Sequence, residues 1–222
     1  MGNRKKERAV LIIKALRKAN PASKISLSFN TSFEFLITTI LSAQCTDIIA
    51  NRVASRLFKK YRNAKGLAAA SPSILEKDIY STGFYRAKAK NIIAASKKIV
   101  TCFNNRVPSS MKELLLLDGV GRKTANIILT VAFKKREGIA VDTHVKRLSA
   151  RFGLTKSSDP VRVEQDLLRV VPFRYWLDFN YILVNHGRRI CRARNPLCDK
   201  CVISKLCVSS QPVLSTTGRD NI

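Results

Sequence analysis

A lysine set just beyond a Gly-x-Gly pair is the first feature of this chain that could do chemistry. The segment reads Leu114-Leu115-Leu116-Leu117-Asp118-Gly119-Val120-Gly121-Arg122-Lys123-Thr124-Ala125. An apolar helix runs into Asp118, and a second helix opens with Ala125, Ile127, Ile128 and Val131 on its apolar side. Glycines spaced in this way permit a tight turn. They leave the amides of Gly119, Val120 and Gly121 uncovered at a helix N-terminus, an anion nest suited to one phosphate. A lone Gly-x-Gly is weak, because many helix–helix turns use glycine. No nucleotide-binding strand precedes this one, which turns the reading towards a helix-hairpin-helix that grips DNA backbone without reading bases.

Lys123, with Arg122 beside it, carries two readings. The plain one is a phosphate contact. The sharper one is a nucleophile that attacks a sugar carbon and forms a Schiff base. A free lysine is almost wholly protonated at neutral pH, so that chemistry requires surroundings that favour the neutral amine. Desolvation in a cleft and neighbouring positive charge both push that way. Its partner would be Asp142, in Val141-Asp142-Thr143-His144. Asp is also a good N-cap for a helix Thr143–Arg151, and the two roles are compatible. A carboxylate fixed at a helix N-terminus is well placed to support positive charge developing on a sugar ring. His144 and His186 read as hydrogen-bonding supports, since no third metal or triad partner stands near either.

The six cysteines split unevenly. Cys45 and Cys102 stand alone among apolar residues and read as small buried hydrophobes. The other four follow as Cys191-x6-Cys198-x2-Cys201-x5-Cys207. Thiols so closely grouped in an intracellular chain argue for a metal centre over disulfides. Zinc ribbons often use two C-x2-C pairs, whereas here there is one pair with two single outer ligands. That spacing suits a cubane in which each thiolate takes one iron corner, while leaving zinc open. Arg192 and Arg194 lie inside the cysteine loop, so the metal would hold a basic loop rigid.

These groups need a scaffold, and the rest of the chain reads as helices. The first twenty residues alternate basic and apolar positions, with Val10, Ile13 and Leu16 near helical spacing. Ile48, Ile49, Val53, Leu57 and Phe58 repeat at three and four. Ala87 to Val100 gives another amphipathic stretch, with Ile92, Ile93 and Ile99 apolar and Lys88, Lys90, Lys97 and Lys98 polar. Ser71-Pro72 and Asp159-Pro160 each read as an N-cap followed by proline at the first helical position. No segment shows sustained two-residue alternation between hairpin turns, so the expected fold is all-α.

Composition bounds the function. The chain has 222 residues, 45% of them hydrophobic, with a net charge of +26 and a pI near 10.4. A core is available, and strong attraction to polyanions follows. The longest apolar stretch, around Phe33–Ala43, is broken by Glu34 and too short to span a bilayer. Lys6 spoils a myristoylation match, and Lys14 interrupts the apolar run Val10–Leu16 that a secretory signal would need. The expectation is an intracellular chain, cytoplasmic or nucleoid-associated, binding nucleic acid and no membrane.

Taken together, the motifs resemble the endonuclease III family of helix-hairpin-helix DNA glycosylases. The resemblance runs from about Leu11 to Cys207 through five signatures: Leu41-Ser42-Ala43-Gln44-Cys45-Thr46-Asp47, Ser81-Thr82-Gly83-Phe84-Tyr85, Leu117–Asn126, Val141–His144, and His186-Gly187-Arg188 leading into the cysteines. The cysteine spacing matches that family's [4Fe–4S] cluster, with Cys191, Cys198, Cys201 and Cys207 as ligands. The resemblance implies a six-helix barrel lobe at 27–134 carrying the hairpin. A second lobe would combine 1–26 with 135–211, and 212–222 would form a mobile tail. DNA would lie between the lobes.

The same resemblance assigns roles. Lys123 and Asp142 would be catalytic, and Gln44 would fill the gap left by an extruded nucleotide. Phe84 stands where the family commonly places a leucine wedge, and Asp118 replaces the usual hairpin proline. Arg194 matches a basic position, whereas Asn195 stands where another basic residue is often found. The implied activity is a bifunctional glycosylase and abasic-site lyase acting on oxidised pyrimidines in double-stranded DNA, as a monomer. A monofunctional mismatch glycosylase and a non-enzymatic DNA-binding module are the competing readings. The first generally lacks a lysine at the position of Lys123. The second predicts that Asp142→Asn changes nothing, because Asn still caps a helix.

Overall fold

The structure, a computed structural model, describes residues 2–21 and 26–210, so the expected tail at 212–222 lies outside the described residues. Every regular element among them is helical. The eleven α-helices are α1 (Gly2–Ala19), α2 (Ser32–Ser42), α3 (Asp47–Lys60), α4 (Ala64–Ala68), α5 (Pro72–Ile79), α6 (Tyr85–Cys102), α7 (Met111–Leu114), α8 (Arg122–Ala132), α9 (Thr143–Arg151), α10 (Pro160–Val170) and α11 (Phe179–Arg189). None is long and apolar enough to cross a membrane.

Local chemistry sets where they begin. Thr31, Thr46, Asn63, Ser110, Asp142 and Asp159 each cap a helix by accepting a backbone N–H through the side chain. Each such cap is worth about 1 kcal/mol relative to alanine. Ser71 stands at the cap of α5 before Pro72, as expected, yet makes no side-chain cap bond; its hydroxyl lies 3.1 Å from that of Ser73 instead.

The chain divides into two compact units, Lys24–Ala140 and Met1–Ser23 with Val141–Ile222. In the first, α2 is the central element. Its residues Phe35 to Leu41 are all buried, and it packs against α3, α6 and α8. Such burial on every side explains why this helix lacks a polar face. Truncating one of its core side chains, for example Leu36→Ala, is expected to cost about 2–5 kcal/mol. Helix α6 packs against α4 and α5, and α7 against α8, which frames the glycine turn.

In the second unit, α1 buries Ala9, Ile12, Ile13 and Leu16 against α10 and α11, while α9 packs on α10 and α11. Gly187 on α11 is required by a close approach: a Cβ there would stand 2.6 Å from Nδ1 of His144 on α9.

Three sequence expectations need correction. Lys88 is buried, not part of the polar face of α6. Cys102 is exposed and Cys45 half-buried, because each falls at or just beyond a helix end where the core no longer covers it. Ile48 is largely exposed, since it lies in the first turn of α3, ahead of the buried stripe Ala50-Val53-Ala54-Leu57.

Candidate functional site

The glycine turn is built from the core outward. Leu114 and Leu117 are buried, and Val120 follows them into the interior. The Val120 amide donates to the Leu117 carbonyl at 3.1 Å, closing the turn. Val120 therefore anchors the hairpin from inside, which differs from the expected outward amide. Gly119 adopts φ +78°, and a Cβ there would meet Asn91 of α6 at 3.1 Å, so both conformation and space call for glycine. Gly121 is the N-cap of α8, with open space where a Cβ would be. Gly119, Gly121, Arg122 and Lys123 are all exposed, and the amides of the first turn of α8 face outward by construction. A helix N-terminus with bare glycine before it and two cations in its first turn has the charge and the open space that an anion requires.

Two further expected contacts lie in the same unit, on short connections. Gln44 joins α2 to α3 at φ +53°, and Phe84 precedes α6 at φ +47°. Both are exposed, Phe84 to 67%. Non-glycine residues at positive φ are uncommon and strained, and a bare aromatic ring leaves apolar surface in water. A third residue of this unit does not stand out in the sequence. Lys88 donates from Nζ to the carbonyls of Leu41 and Thr82, both at 2.8 Å, and burial pushes its pKa below the usual lysine value. The signal was present: Lys88 stands four residues before Ile92, on the apolar stripe of its helix.

Asp142 belongs to the other unit. Its Oδ1 accepts the Val145 amide at 2.8 Å, so the capping role is realised and the second carboxylate oxygen is left for other work. The helix it caps then holds the cysteine loop. Arg147 donates to the Cys191 carbonyl at 3.1 Å. Arg151 donates to the carbonyls of Arg192 and Ala193 at 2.7 and 2.9 Å and to Cys191 Sγ at 3.3 Å. These two arginines, four apart on α9, were also missed by sequence reasoning. Their aligned spacing on one helix face was the available signal. Arg192 and Arg194 point outward from a backbone thus pinned.

All four expected ligands, Cys191, Cys198, Cys201 and Cys207, line one cavity of about 240 Å³. Burial pushes the Cys201 and Cys207 thiols up, and the neighbouring cysteines add to the effect. No three His, Cys, Asp or Glu side chains among the described residues converge closely enough to hold a single metal ion. The thiols surround a space and do not meet at a point. His186 lies in the same cavity with Nε2 3.6 Å from Cys201 Sγ, and burial brings its pKa down to about 4. His144 lies 3.2 Å from Arg147, so both histidines act as supports, as expected.

Residues 37–173 match the HhH-GPD superfamily of base excision DNA repair proteins. The chain is 49% identical to endonuclease III of Synechocystis sp., over 93% of this chain and 94% of that protein. This chain belongs to the endonuclease III family. The Bacillus subtilis endonuclease III is 42% identical over 86% of this chain and 87% of its own length. A solved structure of a trapped endonuclease III–DNA covalent intermediate superposes with a TM-score of 0.86 at 38% identity, covering 92% of this chain and 96% of that one.

Against the endonuclease III pattern, the departures have local reasons. Asp118 finds an ion-pair partner in Lys98 at 2.9 Å. Asn195 adopts φ +50°, a left-handed conformation that Asn tolerates better than Lys or Arg.

Proposed function

We propose that Lys123 is the nucleophile of a bifunctional DNA glycosylase and abasic-site lyase that removes oxidised pyrimidines from duplex DNA. The observation that carries the reading is the exposed Lys123 in the first turn of α8, directly after a glycine turn suited to one phosphate. A lysine held there is brought to the sugar–phosphate backbone by the same contact that binds it. The nucleotide must first leave the stack, at a cost of a few kcal/mol that is smaller for a damaged base.

The chemistry follows in two stages. The Lys123 amine attacks the anomeric carbon, the carbon–nitrogen bond to the base breaks, and the base departs with a proton. Asp142 stabilises the positive charge that develops on the sugar as that bond stretches. Loss of a proton from the amine and opening of the ring leave an imine between Nζ and the sugar carbon. The imine acidifies the adjacent sugar proton. Its removal expels the 3′ phosphate by β-elimination, and water then releases the lysine.

The remaining contacts divide by task. The amides of Gly119 and Gly121, with Arg122, Arg192 and Arg194, hold phosphates and carry no lesion information. Gln44 and Phe84 enter the duplex and occupy the space the extruded nucleotide leaves, as apolar and polar wedges do elsewhere. Cys191, Cys198, Cys201 and Cys207 would hold a [4Fe–4S] cluster. Four thiols lining one cavity, as one C-x2-C pair with two single outer ligands, suit a cubane with one thiolate at each iron corner. When bound, the cluster supplies a rigid cross-link for the loop carrying Arg192 and Arg194. The residues 24–140 would correspond to the barrel lobe and the remainder to the cluster lobe.

A panel of duplexes, each with one defined lesion and run beside an abasic control, tests the substrate. Ring-saturated pyrimidines and abasic sites should be nicked, and undamaged duplex should not. Cleavage confined to 8-oxoguanine or uracil would contradict the substrate assignment.

A further inference from the structure

Lys88 is 5% exposed on the inner face of α6, and its ammonium is shared between two carbonyls, Leu41 O and Thr82 O, each at 2.8 Å. Leu41 lies in the last turn of α2, where carbonyls lack intrahelical partners. The Cys45 amide, which would complete a helical bond to it, donates instead to Ser42 at 3.1 Å. The α2 terminus thus presents an orphan acceptor and the negative end of a helix dipole, and Lys88 answers both. Thr82 is itself buried, its hydroxyl donating to the Ile79 carbonyl at 2.8 Å.

The residues just beyond the two carbonyls give this tie a function. Gln44 comes three residues after Leu41, and Phe84 two residues after Thr82. Both are exposed residues on left-handed backbone, on two different connections of one unit. A bare phenylalanine and two strained residues cost free energy that the fold alone does not require, so their conformations must be imposed from elsewhere.

We propose that Lys88 is a positioning residue for nucleotide extrusion. By holding both connections on one ammonium, it fixes the separation of Gln44 and Phe84, the side chains that fill the opened duplex. This rests on the reading that the chain extrudes nucleotides from duplex DNA. An ammonium suits the task because its three donors can rotate to reach two carbonyls, whereas a guanidinium presents its donors in a fixed plane.

The test compares one abasic site in two settings. In duplex DNA the site must be held open against the opposite strand; in single-stranded DNA there is no stack to fill. Lys88→Met should slow strand cleavage of the duplex by roughly tenfold or more, the worth of a lost hydrogen bond to a charged group. Cleavage of the single strand should stay within about twofold of wild type, because only the wedge residues are misplaced. Placing Lys88→Met in a Gln44→Ala/Phe84→Ala background should add little, since nothing remains to position. Lys88→Arg keeps the charge and gives a smaller defect of the same duplex-only kind; it decides the matter if the methionine variant does not fold. Equal losses on both substrates, an unchanged duplex rate, or full additivity with the wedge variants would overturn the proposal. Wild-type protein inactive on both substrates would instead overturn the enzymatic reading beneath it.

Discussion

Lys98 on α6 lies 2.9 Å from the Asp118 carboxylate and donates to the Leu116 carbonyl at 2.7 Å, so one side chain grips the hairpin on both sides of Leu117. A residue that removes the stiffness of a proline from the turn is thereby compensated by an ion pair to the neighbouring helix. The pair is close to half exposed on both sides, so its Coulombic share is small. The hydrogen bond to the Leu116 carbonyl, in the turn beyond α7, adds to it.

Lys98→Met should therefore destabilise the protein by about 1–2 kcal/mol, and Asp118→Ala by less than about 1 kcal/mol. Urea unfolding measures both. High salt should shrink the Asp118→Ala effect and leave most of the Lys98→Met effect in place. A reversed order of the two variants would show that the ion pair, not the carbonyl bond, holds the turn.

Mutation can separate the capping role of Asp142 from the catalytic role proposed for it. Asn caps a helix about as well as Asp, so Asp142→Asn should keep stability within about 0.5 kcal/mol. It should still lose base excision by at least about tenfold, for lack of a negative charge. Asp142→Ala should lose the same activity and also about 1 kcal/mol of stability. Full excision by the asparagine variant would leave Asp142 as a cap alone.

The cysteine loop hangs on Arg151. Its bonds to the Arg192 and Ala193 carbonyls fix the backbone between the exposed cations Arg192 and Arg194. Purified protein should be yellow-brown, with about four irons and matching sulfide per chain. Arg151→Met should lose iron faster to a chelator and unfold about 1–2 kcal/mol more easily. Stoichiometric zinc in a colourless protein would contradict the cluster assignment.

Salt dependence reports the phosphate contacts. A net charge of +26 cannot all meet one DNA footprint. If roughly four to six phosphates are neutralised, log K should fall against log[salt] with a slope near −4 to −5. The slope should be similar on undamaged and lesion-bearing duplex. Arg194→Ala should flatten it by about one unit without altering lesion preference. Lost preference at an unchanged slope would mean that the cysteine loop reads the damage.

Legibility in the sequence followed the range of the interaction. Helix α9 spans Thr143–Arg151, as the Asp142 cap and the apolar spacing require, because capping acts within four residues. The hairpin was equally plain, since glycine and lysine types speak for themselves. Tertiary ties were harder to read. Lys88 looks like one more cation on a basic helix until Leu41, 47 residues away in sequence, is brought to it beside the nearby Thr82. Arg151 is similar, because its partners lie some forty residues away. Cys102 failed differently: apolar neighbours in sequence suggested burial, and the end of α6 exposes it.

Lys123 is expected to form the covalent bond to DNA, and borohydride trapping reads that bond itself. Wild-type protein incubated with abasic duplex and borohydride should give one protein–DNA adduct, stable to denaturation, with the DNA attached at Lys123 by peptide mass. Lys123→Ala should give none while still binding the duplex. An adduct of undiminished yield from Lys123→Ala, or none from the wild type, would contradict the account.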